Sequence, residues 1–181
     1  MQRLPIYFSQ TFYLEGRDGD SGARNFMVKV LIEGRCVLAQ ELPEEMGARW
    51  WFYGVNPGGI AGSGATADEA RFDFYDRVQS ILVDLAGESQ SFEEFKESVE
   101  AFVSEASEPE LQDWLKAREE VRAGRADAVG YRRVTTDEAP RCSVELFVDQ
   151  DDDRKASVAH ASYDPLPIRA ANDNFDLATA A

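Results

Sequence analysis

Few side chains in this sequence combine the types and the spacing that catalysis needs. His160 is the only histidine among the 181 residues, and the segment around it, 156–163, alternates in the manner of a half-buried strand. A histidine acts as a general base only beside a positioned nucleophile or carboxylate. Because no such constellation surrounds His160, we expect a structural or surface role for it and no catalytic residues.

A second pattern resembles a calcium loop and fails at two positions. Asp149, Asp151 and Asp153 have the spacing of the first three ligands of such a loop. Arg154 stands where the loop requires glycine, and His160 stands where it requires glutamate. We interpret the segment as a solvated turn and expect no metal site.

The glycine-rich segment 58–66, GGIAGSGAT, lies between a predicted strand and a predicted helix, as phosphate-binding loops do. It lacks both the G-x-G-x-x-G order and the Lys-Ser/Thr of a P-loop. Asp68 and Glu69 follow at the helix start and would repel a phosphate. We interpret the segment as a tight turn followed by a helix cap, and we expect no cofactor.

The two cysteines indicate a reducing compartment. Cys36 and Cys142 lie far apart in apolar, strand-like segments, without C-x-x-C spacing, so we expect two buried, reduced thiols. The N-terminal residues lack the pattern of a signal peptide, and no apolar run approaches membrane-spanning length. These features predict a cytoplasmic protein that does not associate with membranes.

Net charge limits the partners. The chain has 34 acidic and 19 basic residues, a formal net charge of −15 and a pI of about 4.4. Such a charge opposes nonspecific binding to nucleic acid or to anionic membranes and favours a basic partner. We therefore expect a basic protein partner and no direct contact with nucleic acid.

The main structural unit is predicted to span residues 1–87. Segments 6–14, 26–32, 36–39 and 50–55 are rich in aromatic and β-branched residues, and 33–35 between two of them reads as a hairpin turn. Thr66 and Glu69 then form a capping box. The helix that follows carries one apolar stripe, composed of Ala70, Phe74, Val78, Ile81, Leu82 and Leu85.

The later segments are predicted to differ in character. Residues 88–125 read as an acidic αα-hairpin, 126–164 as short strands, and 165–181 as a tail that is mobile unless docked. The predicted fold class is α+β, with an antiparallel sheet of about four strands and a long helix packed on one face. The acidic side chains of 88–125 would repel phosphates, which argues against a DNA-reading helix pair.

Tryptophans and carboxylates are the candidate partner-binding residues. Trp50 and Trp51 are adjacent, so in a strand they point to opposite faces. One should belong to the core, and the other is either covered by a helix or exposed as a contact point. Exposed carboxylates on the acidic helices would complement a basic partner. The candidate set is Trp50, Trp51, Trp114, Glu93, Glu97 and Glu100.

The order of elements from residue 50 to 85 resembles the core of HicB-type antitoxins. The shared features are a strand, Pro57-Gly58, a short extended piece, Gly64, Thr66 and a helix that begins at Glu69-Ala70. The resemblance implies a three-stranded antiparallel sheet with a helix packed on it. It also implies a non-enzymatic antitoxin that covers a small basic RNA-cleaving toxin, forms a homo-oligomer and represses its own operon. No basic DNA-reading element accompanies the motif here.

A different class of function fits the same charge. Carboxylates spaced along the helices of 88–120 could imitate a phosphate array, as in an acidic inhibitor or a phage-borne anti-defence protein that blocks a nucleic-acid-binding partner. A small enzyme is the third alternative, and the missing nucleophile–base constellation disfavours it.

Overall fold

The computed structural model describes residues 2–17, 25–41, 49–125 and 139–148. The elements in chain order are the strands β1 (Gln2–Arg17), β2 (Asn25–Glu41), β3 (Arg49–Asn56) and β4 (Ala61–Gly64), the helices α1 (Ala67–Glu88), α2 (Phe92–Ser104) and α3 (Glu108–Arg122), and the strand β5 (Arg141–Val148). The predicted strand around His160, the calcium-like aspartates and the predicted tail lie outside the described residues.

Strand β2 is the centre of an antiparallel sheet. One edge of β2 pairs with β1 over the whole length of β1, from Gln2 to Arg17. Its other edge is shared, because residues 35–41 pair with β3 and residues 26–33 pair with β5. Strand β4 extends the sheet beyond β3. The predicted α+β class with an antiparallel sheet is confirmed, and β5 joins that same sheet.

The predicted hairpin turn at residues 33–35 is wrong, since these residues lie within the continuous strand β2. Gly34 has a different reason to be glycine. A Cβ atom at this position would lie 2.1 Å from the Asn56 carbonyl oxygen and 2.7 Å from the Phe8 ring. The glycine therefore permits a close approach between strands and does not reverse the chain.

The two faces of the sheet carry different helices. Even-numbered residues of β1 and β2 point to one side, which we call the core face, where α1 and α2 pack. The odd-numbered residue Val37 points to the other side, the α3 face, and packs with Val55 and Trp114. The buried strand residues of the core face are Leu4, Ile6, Phe8, Phe12, Leu14, Val28, Val30, Ile32, Cys36, Leu38 and Phe52.

Helix α1 begins with the predicted Thr66 cap. The Thr66 hydroxyl accepts a hydrogen bond from the Glu69 amide at 3.1 Å, and the Glu69 carboxylate accepts from the Ala65 amide at 2.8 Å. The buried side of the helix consists of Ala70, Phe74, Val78, Gln79, Leu82 and Ala86. The apolar stripe thus holds the helix against β3 and β4. No helix in the described ranges is both long enough and apolar enough to cross a membrane.

The two acidic helices differ from the predicted αα-hairpin, because they pack mainly on opposite faces of the sheet. Phe95, Val99 and Val103 of α2 belong to the core-face cluster. Trp114 of α3 lies on the α3 face, and Val121 near the end of α3 also packs against the core-face cluster. The physical reason lies in β3. Its pairing with β2 shifts near Arg35 so that Val55 has no partner in β2, and the Val55 carbonyl accepts from the amide of Ser107 at 3.0 Å. This bond directs the α2–α3 connection past the end of β3.

Candidate interaction surfaces

Trp50 and Trp51 lie on opposite faces of β3. Trp50 packs against the core-face cluster. Trp51 stacks on Tyr53 with ring centroids 5.7 Å apart and an interplanar angle of 10°. The Arg49 guanidinium lies over the Trp51 ring at 5.2 Å. We call Arg49, Trp51 and Tyr53 the Trp51 patch.

The Trp51 patch offers hydrogen-bond donors beside its aromatic area. Burial, followed by the Glu41 carboxylate, raises the pKa of Tyr53, so its phenol stays neutral and can donate. The Trp51 Nε1 is buried, so the Tyr53 phenol and the Arg49 guanidinium are the donors of this patch. A guanidinium, an indole and a phenol in one stack are typical of protein interface hot spots.

Trp114 anchors α3 to the sheet and does not reach the surface. Its side chain is only 1% exposed. The indole Nε1 donates to the Ile6 carbonyl at 3.3 Å. The guanidinium groups of Arg35 and Arg118 lie 5.5 and 5.0 Å from the ring centroid. Trp114 therefore belongs to the packing of α3 on the sheet, and the sequence alone did not distinguish this role from a surface contact.

Glu93, Glu97 and Glu100 form a stripe along α2, because they are spaced by four and then three residues. All three are exposed. Lys96 lies near one end of this α2 carboxylate stripe, with its Nζ atom 3.9 Å from Glu100. Since α2 packs on the core face and Trp51 lies on the α3 face, the structure divides the predicted site residues into two separate surfaces.

Sequence reasoning missed a third surface, at the end of the α3 face away from β3. Three strands meet there side by side, β1, β2 and β5. Lys29 and Glu145 pair across β2 and β5 at 3.4 Å, and Arg141 pairs with Glu33. Phe147 beside them is 45% exposed. The alternation within each strand was visible in the sequence, but nothing local indicated that β5 lies beside β2.

Neither cysteine has the environment of a reactive nucleophile. Cys36 is fully buried, and burial raises the pKa of its thiol well above the ordinary 9.0, while a hydrogen bond with the Val55 backbone acts in the opposite direction. Burial and then the Glu100 carboxylate raise the pKa of Cys142, which Lys96 partly offsets. Both thiols are free. Across the described ranges, no group of three or more histidine, cysteine or acidic side chains could hold a metal ion.

Iodoacetamide is expected to modify Cys142 in the folded protein and to leave Cys36 unmodified, because the thiolate is the nucleophile and only Cys142 is partly exposed. The rate at which iodoacetamide modifies Cys142 should rise about tenfold per pH unit, as long as the pH is below the raised pKa of this thiol. Mass spectrometry of tryptic peptides would measure labelling, and equal labelling of both cysteines would contradict this assignment.

The same raised pKa values predict a pH dependence of stability. Both thiols keep their protons at pH values where the unfolded chain has lost them, so the free energy of unfolding should fall as the pH rises above 9.0.

Comparisons with protein-family models, with curated proteins and with solved structures found no match for this chain.

Proposed function

We propose that this protein is a non-enzymatic, cytoplasmic interaction module resembling a HicB-type antitoxin, which neutralises a small basic RNA-cleaving toxin by binding it. The α2 carboxylate stripe is the observation that carries this proposal. It presents Glu93, Glu97 and Glu100 to solvent on a chain with a formal net charge of −15.

Local architecture supports the resemblance. Strands β1, β2 and β3 are antiparallel, and α1 packs on one face of them after a short β4 and the Thr66 cap. The HicB resemblance implies a three-stranded antiparallel sheet with one helix on it. The arrangement of β1, β2, β3 and α1 is compatible with that core, and the resemblance does not account for α2, α3 and β5.

Electrostatics supports binding to a basic protein. Complementary charge accelerates the encounter of two proteins and fixes their relative orientation. Exposed carboxylates contribute this effect mainly at low ionic strength, because salt screens charges that lie more than about 10 Å apart at 0.1 M. Toxin capture by the α2 stripe therefore predicts an association rate that falls with added salt.

A direct role in binding operator DNA is not part of the proposal. The helix that follows α2 begins with Glu108 and Glu110, and Glu119 and Glu120 lie near its end. Such side chains repel a phosphate backbone, whereas DNA binding needs lysine and arginine on the docking element.

The proposal predicts that a small basic RNA-cleaving protein is encoded beside this gene, and that protein is the partner to test. The two proteins are co-expressed, and co-purification and protection of RNA from cleavage are measured. Replacing all three stripe residues, Glu93→Gln, Glu97→Gln and Glu100→Gln, is expected to weaken binding by about tenfold or more, the loss of a few charge pairs. The matched control removes the same charge from exposed positions of α1, as Asp76→Asn, Asp84→Asn and Glu88→Gln.

Two results would refute the proposal. One is a neighbouring basic protein that neither co-purifies with this chain nor is inhibited by it. The other is equal weakening of binding by the stripe variant and the α1 control. That result would mean that binding depends on the net charge of the chain and not on the position of the stripe. Displacement of DNA or RNA from a nucleic-acid-binding protein, without any effect on an RNA-cleaving toxin, would favour the alternative of an acidic inhibitor or nucleic-acid mimic.

A further inference from the structure

We propose that two copies of this chain pair through the outer edges of their β1 strands. The two strands run antiparallel, with Thr11 facing Thr11 of the second copy, and the two sheets become one. This inference does not depend on toxin binding.

The hydrogen-bonding directions in the sheet can be followed from β4 to β1. In an antiparallel strand, the N–H and C=O of one residue point to the same side, and the side alternates along the chain. The Gly54 amide donates to the Ile60 carbonyl at 2.8 Å, so Gly54 points away from β2 and Tyr53 points toward it. Tyr53 pairs with Val37, which therefore points toward β3.

The same alternation carries across β2 into β1. Since Val37 points toward β3, its neighbour Leu38 points toward β1, where it pairs with Leu4. Even-numbered residues of β1 thus bond to β2, and odd-numbered residues direct their N–H and C=O outward. Pro5 agrees with this assignment, because proline has no N–H and is tolerated where the N–H would face away from the sheet.

The β4 and β1 edges of the sheet are treated differently. At the β4 edge, the outward amide of Ser63 donates to the Asp73 carboxylate of α1 at 2.8 Å. At the β1 edge, the Thr11 carbonyl accepts from the neighbouring Gln10 side chain at 2.9 Å, a local bond that a strand partner can replace. Within the described ranges, no other strand pairs with this edge of β1.

Between Ile6 and Leu14, strand β1 also lacks the features that normally protect a free edge, whereas Pro5 and Glu15 lie just outside this segment. It is 16 residues long and pairs with β2 in one unbroken register. Residues 6–14 include no charged side chain and no proline. Proteins usually protect exposed edges with lysine, proline, bulges or short strands. A long, regular and neutral edge is therefore a pairing surface.

A second copy is the occupant that this edge favours. On a chain of net charge −15, the neutral segment 6–14 lets two copies approach without opposing carboxylates, and it offers a basic partner nothing to bind. Around a two-fold axis at Thr11, Ser9 faces Tyr13 of the second copy on the α3 face, and Phe8 faces Leu14 on the core face. Ser9, Thr11 and Tyr13 of both copies then exchange about six backbone hydrogen bonds.

The first test is the mass of the full chain by sedimentation equilibrium. The wild type is expected at twice 20.2 kDa, and Thr11→Lys at 20.2 kDa. In the variant, two ammonium groups face each other across the axis, and like charges directly opposite are unfavourable. Ser80→Lys is the matched control, since it adds the same charge at an exposed position of α1 and is expected to leave the dimer intact.

The second test fixes the register and does not depend on how well the lysine variant folds. In a Cys142→Ser background, Thr11→Cys places two Cα atoms about 5.5 Å apart, within disulfide range. A cross-linked dimer is expected on non-reducing gels, and none for Ser80→Cys. A wild-type mass of 20.2 kDa at concentrations up to about 100 μM would overturn the proposal. So would a Thr11→Lys dimer as tight as the wild type, or failure of Thr11→Cys to cross-link.

Discussion

Replacing Phe74 with alanine is expected to lower the free energy of unfolding by about 3–5 kcal/mol, the usual cost of deleting a buried phenylalanine ring. The ring is fully buried and lies 5.2 Å from Phe52 and 5.6 Å from Phe8, measured between centroids. It therefore joins α1 to both β1 and β3. Truncation leaves a cavity where the helix meets the sheet, and rigid strand backbones on one side limit how far the cavity can collapse.

Urea denaturation followed by circular dichroism would measure this loss. Phe72→Ala is the matched control, because Phe72 lies on the same helix but is 38% exposed and contacts the Arg71 guanidinium. It should cost less than about 1 kcal/mol. Similar losses for the two variants would mean that α1 does not pack on the sheet through Phe74.

Gly62→Ala is expected to lower the free energy of unfolding by about 3 kcal/mol, at the upper end for overpacked sites. A Cβ atom at Gly62 would lie 2.2 Å from the Ala70 carbonyl oxygen and 2.3 Å from the Phe74 nitrogen. Both are backbone atoms of α1, which cannot rotate away as a side chain can. The helix must therefore shift from β4, and the packing of Phe74 is disturbed as well.

The control for this variant lies in α1, the helix that Gly62 of β4 contacts. A Cβ atom at Gly87 would meet no atom within 4 Å, and Gly87 lies in the last turn of α1. Gly87→Ala is expected to raise the free energy of unfolding by up to about 1 kcal/mol, because alanine favours the helix over glycine. Thermal melts of the two variants should thus move in opposite directions. A neutral Gly62→Ala would show that β4 and α1 are farther apart than described.

The function of this protein is harder to infer than its fold, both from the sequence and from the structure. Residue type and charge indicate the candidate tryptophans and glutamates, and the structure distributes them over two faces of the sheet, with Trp114 buried. Residue type indicates what a side chain can bind, but exposure depends on which element packs above it. For the same reason, the outer edge of β1 became visible only after its neighbours in the sheet were known.

The sequence by itself determined helix α1 and the facing of side chains in β3. Periodicity and capping predicted α1 with its Thr66 cap and the buried side chains of Phe74 and Leu82, and alternation predicted that Trp50 and Trp51 point apart. These features depend on residues only a few positions apart, so a short window of sequence contains the interactions that stabilise them.

Only the tertiary structure decided how those elements join. In the tertiary structure, the two strands predicted on either side of Gly34 form the single strand β2. Strand β5 pairs with β2, and α2 and α3 pack mainly on opposite faces of the sheet. Each outcome depends on contacts between segments distant in the chain, such as Gly34 against Phe8 or the Val55 carbonyl with the Ser107 amide. The free energy of such contacts depends on the whole packed arrangement, and no local pattern encodes it.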